Sequence, residues 1–154
     1  TNVRVLYRIY ARNWNRLLCE GNGKTIRPLP CMVKIEMKIF KDFAFEAAHK
    51  LPLVPTTHKC SNLHGHSFKV RLYVEGPLST KGWVMDFAEL KSICKPIIDT
   101  LDHAYLNEVQ GLENPTSDNI AKWIWQKLKL MLADLHSIEV METCNSGCIY
   151  DGQD

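Results

Sequence analysis

The sequence predicts an α+β fold in which two helices cover one face of an antiparallel sheet. Three observations support this prediction. Segments 35–49 and 64–75 alternate apolar and polar residues with the period of two that is typical of a half-buried strand. Two later segments, which begin near residues 87 and 117, repeat apolar residues at helical spacing. Two short alternating segments end the chain, so the predicted element order is β-β-α-α-β-β.

The first two predicted strands carry histidines at the ends of their apolar faces. His49 ends the first apolar row, and His64 and His66 begin the second. Because an antiparallel hairpin joins the end of one strand to the start of the next, the three imidazoles should meet. Lys41 interrupts the first row and predicts a bulge or an edge position. The remaining members of the two rows are Ile35, Met37, Ile39, Phe43, Phe45 and Ala47, then Phe68, Val70, Leu72 and Val74.

Capping residues and apolar stripes predict the two helices. Asp86 precedes the first, and Glu89 follows three residues later as in a capping box. Pro96 lies inside this helix and should kink or divide it. The second helix should start near Ser117. The stripes consist of Leu90, Ile93, Cys94, Ile97, Ile98 and Leu101, then Ile120, Trp123, Ile124, Leu128, Met131, Leu132 and Leu135.

Two strands should close the domain, over residues 136–144 and 148–150, with a turn at 145–147 between them. Glu142 shares one face of the longer strand with Ile138, Val140 and Cys144. A carboxylate on an apolar face needs a partner, because burying its charge alone is costly. Glu142 is therefore either a salt-bridged residue at the rim of the sheet or a group that binds a ligand.

The three histidines form a candidate metal site. Three imidazoles without a fourth protein ligand are typical of a catalytic zinc that keeps one coordination position open. Two other interpretations remain. The histidines are ordinary buried residues, or Cys60, in the loop between the strands, is the fourth ligand of a closed structural zinc site.

Composition narrows the class of protein. The chain has 154 residues, enough for one domain with a substantial core, and its net charge is +2. No charge pattern indicates a nucleic-acid surface, and no apolar run is long enough to cross a bilayer. Six cysteines in a chain of this size do not indicate a disulfide framework, so a reducing, cytoplasmic compartment is expected.

Residues 1–31 are interpreted as an extension outside the domain, which would then comprise residues 32–154. Arg4, Arg8, Arg12 and Arg16 recur every four residues beside apolar positions, as in a basic amphipathic helix. A targeting or membrane-surface segment would have this pattern. We favour the simpler interpretation that Met32 is a natural start for the domain, after a break marked by glycines and prolines.

An ordered set of motifs resembles the 6-pyruvoyl-tetrahydropterin synthase family over about residues 32–152. The motifs are Phe45-Glu-Ala-Ala-His49, Cys60-x-x-x-His64-Gly-His66, Leu101-Asp-His-x-x-Leu-Asn107, Pro115-Thr-Ser and Glu142-Thr143. The set looks most like the bacterial branch, whose members make 6-carboxy-5,6,7,8-tetrahydropterin in queuosine biosynthesis. The resemblance implies the tunnelling fold, in which three subunits form a barrel and two trimers stack as a homohexamer.

The resemblance also implies a lyase with a role for each candidate residue. His49, His64 and His66 would bind Zn²⁺, which would chelate the side-chain hydroxyls of 7,8-dihydroneopterin triphosphate. Cys60 would act as the base, Asp102 and His103 as a proton relay, Glu142 as the pterin anchor, and Thr116 as a substrate contact. Without the resemblance, Asp102 and His103 would read as a surface pair at a helix end.

Two alternative functions remain at this point. One is 6-pyruvoyl-tetrahydropterin synthase, which eliminates triphosphate from the same substrate without releasing acetaldehyde. The other is a non-catalytic, zinc-stabilised binding module. The short spacing between Cys60 and His64 and the segment from Cys144 to Cys148 look like the carboxy branch.

Overall fold

A computed structural model describes residues 36–153, which form one mixed sheet covered by two helices. Strand β1 (Glu36–His49) is followed by β2 (His64–Pro77), helix α1 (Phe87–Asp99), β3 (Ala104–Tyr105), helix α2 (Ser117–Lys129), β4 (Leu135–Thr143) and β5 (Ser146–Tyr150). The order of strands across the sheet is β3-β1-β2-β4-β5. The predicted α+β class and the order of the main elements are confirmed. The basic N-terminal segment lies outside the described residues.

The long hairpin of β1 and β2 is the centre of the sheet and carries the histidines. Its antiparallel register runs from Glu36 opposite Pro77 to His49 opposite His64, without a shift. Of the two alternatives predicted at Lys41, the bulge is therefore wrong, whereas an edge position agrees with the described sheet, in which β3 pairs only with Ala47 and Ala48 of β1. Lys41 is half-buried opposite Leu72, and a lysine can keep an aliphatic stem within a regular strand while its ammonium group reaches water.

The sheet also contains a parallel pair that the apolar pattern did not predict. Strand β3 has only two residues, and it pairs in parallel with Ala47 and Ala48 at the end of β1. A strand of two residues has no measurable alternation, so its pairing depends on where α1 ends. This pair places the residues just before β3 beside the metal-binding end of the hairpin.

Helix α1 begins at the predicted cap, because Asp86 Oδ1 accepts a hydrogen bond from the Ala88 N–H at 2.6 Å. Of the two effects predicted for Pro96, division of the helix is wrong, since α1 continues through it to Asp99, and a kink stays a prediction. Leu90, Cys94 and Ile98 are buried along one stripe on both sides of the proline, and this packing holds the helix together. Burial also raises the pKa of the Cys94 thiol to about 12, as expected for a core cysteine.

Helix α2 is capped by Thr116, whose Oγ1 accepts from the Asn119 N–H at 3.3 Å. The predicted core position of Met131 is wrong. Because α2 ends at Lys129, Met131 leaves the apolar stripe and is 54% exposed. No helix among residues 36–153 is both long enough and apolar enough to span a membrane.

The core lies between the helices and one face of the sheet. Phe45 and Phe68 stack across the β1–β2 hairpin with ring centroids 4.9 Å apart, and both are buried. His49 and His66 contact Phe68 at the edge of this core, with ring centroids 5.5 and 5.6 Å away. The histidine cluster therefore lies where the apolar core ends.

Candidate metal centre and catalytic groups

Three histidine rings converge where β1 ends and β2 begins. His49 is fully buried, and the ring centroids of His64 and His66 lie 4.4 and 5.2 Å from its own. His64 and His66 are 5.0 Å apart. Residues two apart in a strand point to the same face, and the hairpin register sets His49 opposite His64. The predicted convergence is present in the structure.

Main-chain carbonyl groups orient two of these rings. His49 Nδ1 lies 2.8 Å from the Pro115 carbonyl oxygen, and His64 Nδ1 lies 2.8 Å from that of Asn62. A carbonyl oxygen can only accept a hydrogen bond, so in each ring the proton is assigned to Nδ1. The lone pair then resides on Nε2, which is the arrangement that metal-ligating histidines adopt.

The three Nε2 atoms are the strongest indication of a bound cation. Those of His49, His64 and His66 are buried and make no hydrogen bond, and the one charged group beside them among the described residues is the Glu142 carboxylate next to His66. Buried polar atoms normally have a partner, because leaving them without one costs about 1–3 kcal/mol each. A metal ion at their focus would satisfy all three together. Burial also lowers the pKa of His49, which favours the neutral imidazole that a metal requires.

Glu142 joins the histidines from β4. The four ligand atoms of His49, His64, His66 and Glu142 all lie within 4.8 Å of one another, so this group can hold a metal ion. Glu142 Oε1 is 3.0 Å from His66 Nε2, and Glu142 Oε2 accepts a hydrogen bond from Ser117 Oγ at 3.0 Å. The sequence predicted Glu142 either as a salt-bridged residue at the rim of the sheet or as a group that binds a ligand, and its contact with His66 is compatible with both. Its hydrogen bond from Ser117 was not predicted.

Cys60 lies in a turn of 3₁₀ helix (Lys59–Ser61) within the loop that connects β1 and β2. Its side chain is half-buried, and its carbonyl oxygen accepts a hydrogen bond from the Leu51 N–H at 2.8 Å. Among the described residues, the group able to hold a metal consists of three histidines and Glu142 and does not include Cys60.

Asp102 and His103 form a contact pair between α1 and β3. Asp102 Oδ2 lies 3.0 Å from His103 Nδ1, and Asp102 Oδ1 accepts from the Glu46 N–H at 2.9 Å. The Glu46 N–H and then His103 lower the pKa of Asp102, so this carboxylate stays charged beside the imidazole.

The Glu46 main chain holds this pair on both sides. Its carbonyl oxygen accepts from the His103 N–H at 2.6 Å, while its N–H donates to Asp102. His103 has a φ of +56°, a left-handed conformation that non-glycine residues seldom adopt and that often occurs at functional sites. The role of Glu46 was missed, because main-chain contacts between distant segments leave no pattern in the sequence.

Two cavities adjoin the metal-binding group. The larger, about 550 Å³, is lined by Glu46, His66, Ser67, His103 and Tyr105 among others. The smaller, about 230 Å³, is lined by Ser117, Asp118, Glu142, Thr143, Ser146, Gly147 and Cys148. His66 belongs to the first cavity and Glu142 to the second. Thr116, predicted as a substrate contact, caps α2 directly before Ser117.

Comparisons with known proteins agree with the geometry. A model of the family described as 6-pyruvoyl tetrahydropterin synthase matches residues 38–153. The chain is similar to a 6-carboxy-5,6,7,8-tetrahydropterin synthase of Synechocystis sp., with 49% identity over 119 residues that cover 73% of this chain and 91% of that protein. It is 30% identical to human 6-pyruvoyl tetrahydrobiopterin synthase over 151 residues, which cover 87% of this chain and 98% of that protein.

A solved structure shows the same fold. Caenorhabditis elegans 6-pyruvoyl tetrahydropterin synthase superposes with a TM-score of 0.72 and 28% identity, covering 77% of this chain and 97% of that one. The tunnelling fold predicted from the motifs is thereby confirmed, and so is the resemblance itself. The chain belongs to the 6-pyruvoyl tetrahydropterin synthase family.

Proposed function

We propose that this chain is a zinc-dependent lyase that converts 7,8-dihydroneopterin triphosphate, with water, to 6-carboxy-5,6,7,8-tetrahydropterin, acetaldehyde and triphosphate. The observation that carries the proposal is the convergence of three buried Nε2 atoms that make no hydrogen bond, with the Glu142 carboxylate beside that of His66, next to two cavities. The 49% identity to a protein named for the carboxy product favours this reaction over the related ones. Such a reaction would serve queuosine biosynthesis.

The residues fit zinc as the resident metal. Imidazole nitrogens are suitable ligands for Zn²⁺. His49, His64 and His66 each offer an Nε2 atom without a hydrogen bond, and in His49 and His64 the contact at Nδ1 orients the ring. When bound, zinc acts as a Lewis acid toward the hydroxyl groups of the substrate side chain and makes their protons more acidic. The protein's task is then to place bases and proton donors around that side chain.

The remaining site residues divide the proton transfers. Cys60 accepts a proton from the substrate side chain, and His103 exchanges a proton with the reacting pterin. Asp102 contacts the His103 ring at Nδ1 and so orients it. An imidazole suits this exchange because histidine changes charge near neutral pH.

Glu142 anchors the pterin in this proposal. A carboxylate can accept two hydrogen bonds from adjacent N–H groups on the pterin edge. Its bond from Ser117 fixes the carboxylate, and its closeness to His66 sets the ring beside the metal. The same closeness supports a second role as a fourth metal ligand when no substrate is present.

We propose a homohexamer in a reducing, cytoplasmic compartment, where Cys60 would remain a thiol. The pterin triphosphate is the partner proposed for the site, and no nucleic acid or membrane partner is proposed. Residues 1–31 are proposed to lie outside the catalytic domain. The cations that would bind the triphosphate are expected on a neighbouring subunit.

Product analysis tests the reaction. The purified, zinc-loaded chain should convert 7,8-dihydroneopterin triphosphate to 6-carboxy-5,6,7,8-tetrahydropterin, with one acetaldehyde released for each product formed. A pyruvoyl product without acetaldehyde would support the first alternative, to which the 30% identity with the human protein lends weight. Absence of any turnover in the zinc-loaded chain would support the non-catalytic binding module.

The Cys60→Ala variant tests the assignment of the base. Turnover should be lost while zinc remains bound, because Cys60 stands outside the group that can hold the metal. Cys144→Ala, at an exposed position, is the matched control and should keep both zinc and activity. Loss of zinc together with activity in Cys60→Ala would identify a closed structural site. Retention of both would leave His103 as the first candidate for the base.

A further inference from the structure

The turn that carries Cys60 is held by a histidine that is absent from the metal group and from the proton relay. His58 precedes the turn in an extended conformation, and its Nδ1 accepts a hydrogen bond from the Cys60 N–H at 3.2 Å. A side chain that accepts from the N–H two residues later is a helix cap, a role usually filled by Asn, Asp, Ser or Thr. Because Nδ1 accepts, the ring carries its proton on Nε2.

The backbone of Cys60 is fixed on both sides. Its N–H donates to the His58 ring, and its carbonyl oxygen accepts from the Leu51 N–H, two residues after the metal-binding His49. The second bond joins two main-chain groups, so a substitution cannot delete it. The His58 bond ends on a side chain and is therefore the one that mutation can remove.

The turn is also linked to the second strand. Ser61 Oγ donates to the carbonyl oxygens of Thr56 and His58, at 3.0 and 2.8 Å. At the end of the turn, the Asn62 carbonyl oxygen accepts from His64 Nδ1. The Cys60 turn and the metal-binding end of β2 are thus connected through one residue, Asn62.

We propose that His58 is a positioning residue for Cys60, acting as a hydrogen-bond acceptor that fixes the backbone of the thiol-bearing turn. The inference rests on the proposed role of Cys60 as the base. Loss of the acceptor leaves the composition of the metal site and the cavities unchanged but lets the turn rotate. A reaction step is sensitive to the position of the sulfur that takes part in it. A displacement of about 1 Å can lower the rate by about 100-fold.

A matched pair of variants separates the acceptor from the bulk of the side chain. Asn and Leu have similar size and shape, but only Asn has an oxygen that can accept from the N–H two residues on. In the full-length, zinc-loaded protein, His58→Leu should lower kcat about tenfold with KM nearly unchanged. His58→Asn should restore most of kcat, and both variants should retain zinc as the wild-type protein does.

A second readout is independent of turnover. The rate at which iodoacetamide alkylates Cys60, followed on the peptide that contains it, should change severalfold in His58→Leu and return toward the wild-type value in His58→Asn. Wild-type kcat and alkylation rate in His58→Leu would overturn the inference, and so would equal defects in the two variants. Full activity in Cys60→Ala would reject the base assignment, whereas the alkylation rates would still report whether His58 positions the turn.

Discussion

At the scale of single residues, the six histidines of the chain have different environments. The Nε2 atoms of His49, His64 and His66 converge, are buried and make no hydrogen bond, whereas His136 lies elsewhere on β4. His136 Nε2 is 3.0 Å from Glu75 Oε2 and 3.0 Å from Lys38 Nζ. Histidine content alone therefore says little about metal binding, and the partners of each ring decide it.

Removing one histidine of the cluster should abolish tight zinc binding. Loss of an outer-shell partner lowers metal affinity by about 10–100-fold. His64→Ala removes a ligand nitrogen itself, so the zinc affinity should fall by more than this. His136→Ala is the control and should retain zinc at the wild-type level. Metal analysis after dialysis against a competing chelator measures both. Full zinc content in His64→Ala would contradict the assignment of the site.

Burial of His49 predicts a pH dependence of the metal-free protein. Burial lowers the pKa of His49 in the folded state, so the unfolded state binds its proton at a higher pH. Stability should therefore fall as the pH drops from about 6.5, the ordinary histidine pKa, toward the lowered value. Urea unfolding of metal-free protein at neutral and at mildly acidic pH measures the change. The loss should shrink in His49→Gln, and an equal loss in that variant would contradict the prediction.

At the scale of elements, the β4–β5 hairpin determines where Glu142 lies. Gly147 on β5 stands opposite Met141, and a Cβ atom at Gly147 would come 2.5 Å from the Val140 carbonyl oxygen. Real Cβ atoms do not approach a carbonyl oxygen so closely, and a backbone group cannot move aside as a side chain can. Glycine at this position lets β5 pack closely against the strand that carries Glu142.

Gly147→Ala should therefore destabilise the protein by about 1–3 kcal/mol, the usual cost of overpacking. Gly76→Ala is the matched control, since its Cβ would meet only Val84 Cγ1 at 3.4 Å, an ordinary contact. The control should change stability by less than about 0.5 kcal/mol. Urea unfolding of zinc-free protein compares the two variants. Equal stability of Gly147→Ala and wild type would show that the hairpin can shift without cost.

At the scale of the whole molecule, the edges of the sheet are open within the part of the chain that the structure describes. Strand β3 covers only the end of β1, so within residues 36–153 most of β1 has no strand on that side, and β5 lies at the other edge. Phe40 on β1 is 48% exposed and Ile149 on β5 is 68% exposed. Open strand edges with exposed apolar residues tend to pair with further strands.

We expect these edges to be covered by other copies of the chain. Sedimentation at micromolar concentration should give a mass near six times 17.7 kDa, the mass of one chain. A stable monomer under these conditions would contradict the prediction.

The sequence by itself determined the apolar faces and therefore most of the fold. Alternation in β1 and β2 specified the hairpin, and its register followed because a shift of one residue would turn Phe45 and Phe68 out of the core. The three histidines were predictable for the same reason, since each occupies a position in an apolar row. Asp86 marked the start of α1 through local capping, which needs only neighbouring residues.

Tertiary structure alone decided the contacts between segments far apart in the chain. Three contacts of the site are of this kind. The Pro115 carbonyl oxygen orients His49, and the Ser117 hydroxyl donates to Glu142. The Glu46 N–H donates to Asp102. Main-chain groups are the same in every residue type, so their pairing depends on the path of the chain and leaves no trace in composition or spacing. Periodicity reports which face of an element is buried, whereas the geometry of a site depends on how the elements meet.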